Sequence, residues 1–497
     1  MMYESTRGSV AKMHAYIAIA NGTTADGGLF VPEQVPRIKP SGFEKLMHMS
    51  YCERATAVLS MLLTDFNPEF LYQAVSQAYS PEKFSSAAPA PLQALDERTD
   101  VLELWHGPTC AFKDMALQLL PPLLKESAAE ANPGQTTVVL AATSGDTGKA
   151  AMEGFAGQEK IRIMVFYPSG GVSPLQELQM TTQQGNNVFV CAVKGNFDDA
   201  QRAVKEILAD QRIRARLAAK NMCFSSANSI NWGRLAAQIV YYISAYCDLL
   251  ADGRVALGDP INVAVPTGNF GNILAAHYAG RMGVPIRKLI CASNANNVLT
   301  DFIKTGVYDR NRAFYHTLSP AMDILVSSNL ERLLYDLTDH DGSRIRGWMN
   351  ELSENGVYRI DETTRARLNS ILYAGWSDDR RTLDTIANVW KARRYLLDPH
   401  TAVAQTVCQM FRRESGDGTH TLVVSTASPF KFAGSVVTAL AGALPIGSEF
   451  DSIRRLSGMT GLEAPVQLTA LEKVEPRFRG VCTPEMISTV LMQTLGV

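Results

Sequence analysis

The sequence predicts an α/β protein: two open, mostly parallel sheets with flanking helices, joined by a helical N-terminal region and a helical insertion. Three observations predict it. From residue 136 onward, short β-branched runs alternate with stretches of helical period. The runs end in polar, glycine-bearing turns, as strands do when a crossover helix follows. The alternation is absent from 1–90 and from 320–398, which read as helical additions.

TTVVLAA (136–142) is the first strand, followed by the turn TSGDTG and a helical stretch from Lys149. IRIMVFYP (161–168) is the second, and SPLQELQMTTQQ (173–184) has helical spacing with Gly185 suited to its C-cap. NVFVCAV (187–193) is the third, followed by the amphipathic FDDAQRAVKEILAD (197–210). After a long helix at 231–250, INVAVPT (261–267) runs into GNFGN and a helix from about Ile273. RKLICAS (287–293) and HTLVVST (420–426) complete the strands that can be read. The expected division is a mostly helical 1–90, a large ligand-binding domain from 91–135 and 220–320, and a small α/β domain at 136–219. A helical insertion at 321–398 follows, and 399–497 returns to the large domain. SSAAPAPL (85–92) is the best linker.

At 497 residues the chain can bury more than one core. Lys and Arg total 47 against 49 Asp and Glu, a net charge of −2, so there is no global electrostatic case for nucleic acid or an anionic membrane. None of the eight cysteines forms a CxxC pair, which argues against a zinc ribbon or redox dithiol and for reduced thiols. With no secretory apolar core and no apolar run near the ~18 residues of a membrane span, a cytoplasmic location is expected.

Three strand ends carry unusual turns, and open parallel sheets bind ligands at that edge. In VPTGNFGN (265–272), glycines let backbone amides turn inward at a helix start, an anion cradle suited to phosphate; an ordinary structural turn reads equally simply. In ATSGDTGKA (142–150), Thr143, Ser144 and Thr147 could hold a carboxylate, or Ser144 or Asp146 could merely cap the helix. In VVSTASPFKF (423–432), the Ser425 and Thr426 hydroxyls could face a ligand ring nitrogen or close a turn. The fourth signal is Lys113, in HGPTCAFKDMALQ (106–118), a lysine among small and apolar neighbours. Desolvation lowers a lysine pKa and yields a nucleophilic amine able to form a Schiff base. A surface lysine snorkelling past its neighbours is the plainer alternative. An amine together with a phosphate cradle is what an aldehyde cofactor bearing a phosphate, such as pyridoxal phosphate, requires.

HGPTCAFKDMALQ, TSGDTG and PTGNFGN, with CASNANNVLTDF (291–302), SPAMDILVSSNLERLLYDL (319–337), YESTRG (3–8), DGGLFVP (26–32) and SANSINWGRLAAQIVYY (226–242), resemble the threonine synthase family in order along nearly the whole chain. The resemblance implies the pyridoxal-phosphate fold shared with tryptophan synthase β subunits. By position, Lys113 would hold the cofactor as a Schiff base. Gly268, Asn269, Phe270, Gly271 and Asn272 would cradle its phosphate, and Thr426 would face its ring nitrogen. Thr143, Ser144, Asp146 and Thr147 would bind the substrate carboxylate, and Arg234, Lys149 and Ser173 are candidates for the substrate phosphate. His106, near Lys113, could contact substrate or serve structure. The implied reaction turns O-phospho-L-homoserine and water into L-threonine and phosphate, in a monomer or homodimer. A phospho-lyase releasing 2-oxobutyrate and ammonia is the near rival. A dehydratase fits the chain plan less well, and a non-catalytic binder would have no use for Lys113.

Overall fold

A computed structural model describes the backbone of residues 1–497 and every side chain but that of Asp198. The chain opens with β1 (Met2–Ser5), which pairs antiparallel with both β2 (Met13–His14) and β3 (Phe30–Pro32). This small sheet was not expected. Its strands are two to four residues long, too short to display a period of two, and their pairing is tertiary. Four helices, Ala15–Asn21, Pro40–Leu46, Tyr51–Leu62 and Pro68–Ala78, supply the remaining regular structure of 1–90.

β4 (Leu92–Asp96) and β5 (Thr99–Glu103) form a hairpin, which the sequence reading also missed. β6 (Thr136–Ala142), β7 (Ile161–Pro168), β8 (Val188–Val193) and β9 (Met222–Ser225) then build the small sheet. β10 (Ile261–Pro266) and β11 (Ile286–Ser293) return to the large sheet. β12 (Val307–Asp309) and β13 (Val357–Arg359) pair antiparallel with each other. β14 (Leu372–Trp376) and β15 (His420–Ser425) rejoin the large sheet, and β16 (Val481–Cys482) joins the small one.

The large sheet runs β14-β11-β10-β15-β5-β4, parallel except for the β4 edge. The small sheet runs β16-β8-β7-β6-β9, parallel throughout. Burial on both faces explains the near-continuous apolar runs of the central strands. In β10, Val263 and Val265 join one core with helix Trp232–Ala251, while Ala264 joins another with helix Pro399–Ser415. In β6, Val139 and Ala141 point to the first of these cores, and Val138 and Leu140 point the other way.

Two expectations about organisation are corrected. The 321–398 segment is not wholly helical: β13 lies in it, and LYAGW forms β14 at the edge of the large sheet, a strand too short and too glycine-interrupted to stand out among helices. Nor does all of 399–497 belong to the large sheet. β16 extends the small sheet, and Ile487, Leu491 and Met492 pack on Val138, Leu140 and Phe166. Among the described residues, no helix is long and apolar enough to cross a membrane.

Candidate active site

β5, β15 and β10 lie side by side and point the same way, so the loops that follow them share one edge. The loop after β5 is stitched to the loop after β15. Leu104 N donates to Ser425 O (3.0 Å), Phe112 N to Thr426 O (2.8 Å) and Ser428 N to Cys110 O (3.0 Å), with a β-bridge between Ala111 and Ala427. Asp114 is buried beneath this loop and accepts from Thr109 N and Thr109 Oγ1, both at 2.8 Å; burial nonetheless pushes its carboxyl up to about 6. A Cβ on Gly107 would lie 2.6 Å from the Asp114 Cβ, so only glycine lets the loop close here.

Lys113 immediately precedes the short helix Asp114–Leu117. Its side chain is 11% exposed, and Nζ sits 3.7 Å from Asp146 Oδ2 and 4.8 Å from the Phe112 ring centroid. Burial pushes its pKa down, Asp146 pulls it back up, and Lys431 and Arg234 push it down again. This lysine is indoors, as its sequence context suggested.

The turn after β10 is built to present its amides. Phe270 is left-handed (φ 62°), and helix Gly271–Arg281 begins at Gly271, earlier than Ile273. The carbonyls are drawn away from the turn: Ser327 Oγ donates to Gly268 O (2.7 Å), and Asn329 N and Nδ2 donate to Asn269 O (3.1 and 3.0 Å). The amides of 268–272 have no acceptor among the described residues. Five donors at a helix N-terminus make an anion nest. A Cβ on Gly268 would lie 2.6 Å from the Ala321 carbonyl oxygen, which fixes glycine at that position. Asn272 offers its backbone amide and its side-chain Nδ2, which is buried without a partner while its Oδ1 accepts from the Tyr241 and Tyr242 hydroxyls at 2.5 and 2.6 Å.

The turn after β6 is organised differently. Helix Asp146–Phe155 starts at Asp146, earlier than Lys149, and neither Ser144 nor Asp146 caps it: the N-cap is Gly145, without a side-chain bond. The Thr143 hydroxyl is spent inside the turn, accepting from Gly145 N (3.1 Å) and Gly148 N (2.8 Å). Asp146 points its carboxylate at two lysines, Lys431 (2.8 Å) and Lys113. Although burial alone would raise it, those ammonium groups hold the Asp146 carboxyl well below the usual carboxylate range. What stays open to an anion is the amides of Ser144, Asp146 and Thr147 and the hydroxyls of Ser144 and Thr147, which have no protein partner among the described residues.

The cations separate clearly. Arg234 is 3% exposed; Nη1 donates to Ala227 O (2.9 Å), Nε has no partner, and no carboxylate pairs with it among the described residues. Burial lowers its pKa to about 10. One turn on, Gln238 donates to Arg234 O and lies beside Gly271, which places Arg234 along the same edge. Lys149 is paired with Glu153 at 2.8 Å and also donates to Gln183 Oε1, so its charge is already engaged within the protein. Ser173 is engaged in the capping box of helix Pro174–Thr181, and His106 is bonded to Glu103 at 2.7 Å. That helix ends at Thr181 with Thr182 as C-cap, short of Gly185. The Thr426 side chain is buried beside this loop, and Ser425 Oγ accepts from Trp105 Nε1 (3.0 Å).

Sequence reasoning missed Lys431. It is wholly buried and donates to Asp146 Oδ1 and to Thr109 O, each at 2.8 Å. The one signal available was its position between two phenylalanines just past a strand end.

A buried lysine at the carboxyl edge of a parallel sheet, beside an amide nest, is the arrangement of a pyridoxal-phosphate-dependent enzyme, and the family model of that description matches residues 90–427. The models for the threonine synthase N terminus and the threonine synthase C-terminal region match 2–79 and 401–482. The chain belongs to the threonine synthase family. It is 36% identical over 468 residues to threonine synthase of Schizosaccharomyces pombe, covering 88% of this chain and 89% of the relative. It is 40% identical over 433 residues to threonine synthase-like 1 of Pongo abelii, covering 85% of this chain but only 57% of that relative's length. The structure of pyridoxal-phosphate-bound threonine synthase from Brucella melitensis superposes with a TM-score of 0.87 at 35% identity over 99% of both chains. The family cofactor fits the residues present: five unpartnered amides would receive its phosphate, and the Lys113 amine, its pKa lowered, would receive its aldehyde.

Proposed function

We propose that the chain converts O-phospho-L-homoserine and water into L-threonine and phosphate. The observation that carries this reading is Arg234, a buried guanidinium with an unpartnered Nε and no carboxylate, on the edge that holds Lys113. Leaving such a donor unpaired costs about 1–3 kcal/mol. A substrate bearing a phosphate of its own supplies the missing acceptor, whereas a simple hydroxy-amino acid does not.

Lys113 would bear the pyridoxal phosphate, whose ring withdraws electrons from the substrate's α-carbon when bound. The amides of Gly268, Asn269, Phe270, Gly271 and Asn272 would hold the cofactor phosphate. Thr426 would stand opposite the ring nitrogen, a neutral partner. The α-carboxylate would lie on the amides of Ser144, Asp146 and Thr147 and the hydroxyls of Ser144 and Thr147. Thr143 shapes that turn instead of contacting substrate, and Lys149 and Ser173 fall away as phosphate ligands. The amine of Lys113, released as substrate binds, is placed to take the proton from the α-carbon and then one from the β-carbon. Phosphate leaves from the γ-carbon and water adds at the β-carbon. A cytoplasmic monomer or homodimer completes the reading.

A phospho-lyase releasing 2-oxobutyrate and ammonia is the second reading, since the residues that would bind the substrate are the same for both outcomes. Proton NMR of the purified chain with pyridoxal phosphate and O-phospho-L-homoserine, with phosphorus NMR for the released phosphate, separates the two. Threonine equimolar with phosphate supports the synthase. 2-Oxobutyrate with ammonia supports the lyase, and no turnover contradicts both.

A further inference from the structure

Two buried lysines share one buried carboxylate. Asp146 Oδ1 accepts from Lys431 Nζ and from Gln176 Nε2, each at 2.8 Å, while Oδ2 faces Lys113 Nζ at 3.7 Å. Lys431 is wholly buried and has the Thr109 carbonyl as a second acceptor at 2.8 Å. The surroundings leave an excess of positive charge: Lys113, Lys431 and Arg234 stand against the carboxylates of Asp146 and Asp114, while Lys149 is cancelled by Glu153. In a poorly hydrated site three cations facing two carboxylates shed a proton readily. It leaves the lysine that is held less well. Lys431 has two acceptors at hydrogen-bond distance, whereas Lys113 has one carboxylate oxygen beyond it.

We propose that Lys431 is a positioning residue: by occupying Asp146 it prevents a one-to-one ion pair between Asp146 and Lys113, and so keeps Lys113 an available amine. Without Lys431, the whole negative charge of Asp146 falls on Lys113, and a buried pair of opposite charges holds both partners ionised. Lys431 also joins three loops from different strands, those after β5, β6 and β15, so the same contacts set where Asp146 stands relative to Lys113. This inference rests on Lys113 being the lysine that bears the cofactor.

The test is a pH titration of the cofactor's visible absorption in the holoenzyme, for the unaltered chain, Lys431→Met and Lys431→Arg. The proposal expects Lys431→Met to move the midpoint of the Lys113 nitrogen upward by about one pH unit or more, and Lys431→Arg, which keeps the charge, to leave it near the original value. A merely structural role would change stability without moving that midpoint. An unmoved or lowered midpoint in folded Lys431→Met overturns the proposal. If that variant does not fold, Lys431→Gln, which retains a donor for the Thr109 carbonyl, is read in the same way. A Lys113-dependent band with an unmoved midpoint overturns this inference alone, whereas a chain with no Lys113-dependent band overturns the cofactor assignment as well.

Discussion

The turns after β6 and β10 look alike in sequence, each a strand, a glycine-bearing polar stretch and a helix, yet the structure uses them differently. At 268–272 other residues pull the carbonyls away, and every amide is left open. At 143–148 the turn consumes part of its own capacity, because the Thr143 hydroxyl takes the amides of Gly145 and Gly148. The first keeps five backbone amides open and suits a multiply charged phosphate that stays. The second keeps three backbone amides and the hydroxyls of Ser144 and Thr147, and suits a single carboxylate that comes and goes. What decides a turn's ligand is how many backbone amides its own fold leaves unspent, and composition does not report that.

Removing what both turns serve has the largest expected effect. Lys113→Ala should abolish the visible cofactor band and lower turnover by about 10³-fold or more with the fold retained. A retained band and full turnover would break the account. Gly268→Ala addresses the five-amide nest. Its Cβ would meet the Ala321 carbonyl at 2.6 Å, so the nest must shift, and pyridoxal phosphate affinity measured by equilibrium dialysis should fall about tenfold or more. Thr143→Ala addresses the self-consuming turn. Two amides lose their acceptor, so denaturant unfolding should show a loss of about 1–2 kcal/mol, with a raised KM and cofactor affinity nearly unchanged. Ser144→Ala should have the smallest effect: stability within about 0.5 kcal/mol and KM raised a few-fold, since an exposed hydroxyl is removed. Were Ser144→Ala to weaken the cofactor as much as Gly268→Ala, the proposed division of labour between the turns would be wrong.

Lys113 and the 268–272 turn were legible because each is local: the lysine's apolar neighbours precede and follow it in the chain, and the glycines bracket their own turn. Arg234 was legible only as one of three candidates beside Lys149 and Ser173, since NWGRL reads as an ordinary helix start and only packing buries it. Lys149 was over-read for the opposite reason, because its partner Glu153 is one turn along the same helix and neutralises it. Lys431 shows the limit most plainly. In SPFKF it has the look of a turn lysine, and its role exists only once the β15 loop lies against Thr109 and Asp146. The same holds for β14 and β16, five and two residues long, which become strands only because a sheet edge offers them hydrogen bonds.

Three lysines with buried side chains surround the proposed site, and the account assigns the cofactor to one of them. Borohydride reduction of the chain loaded with pyridoxal phosphate, followed by peptide mass spectrometry, reads the assignment directly. The account predicts a phosphopyridoxyl adduct on Lys113, with Lys149 and Lys431 unmodified. An adduct on Lys149 or Lys431, or none on Lys113, would contradict it.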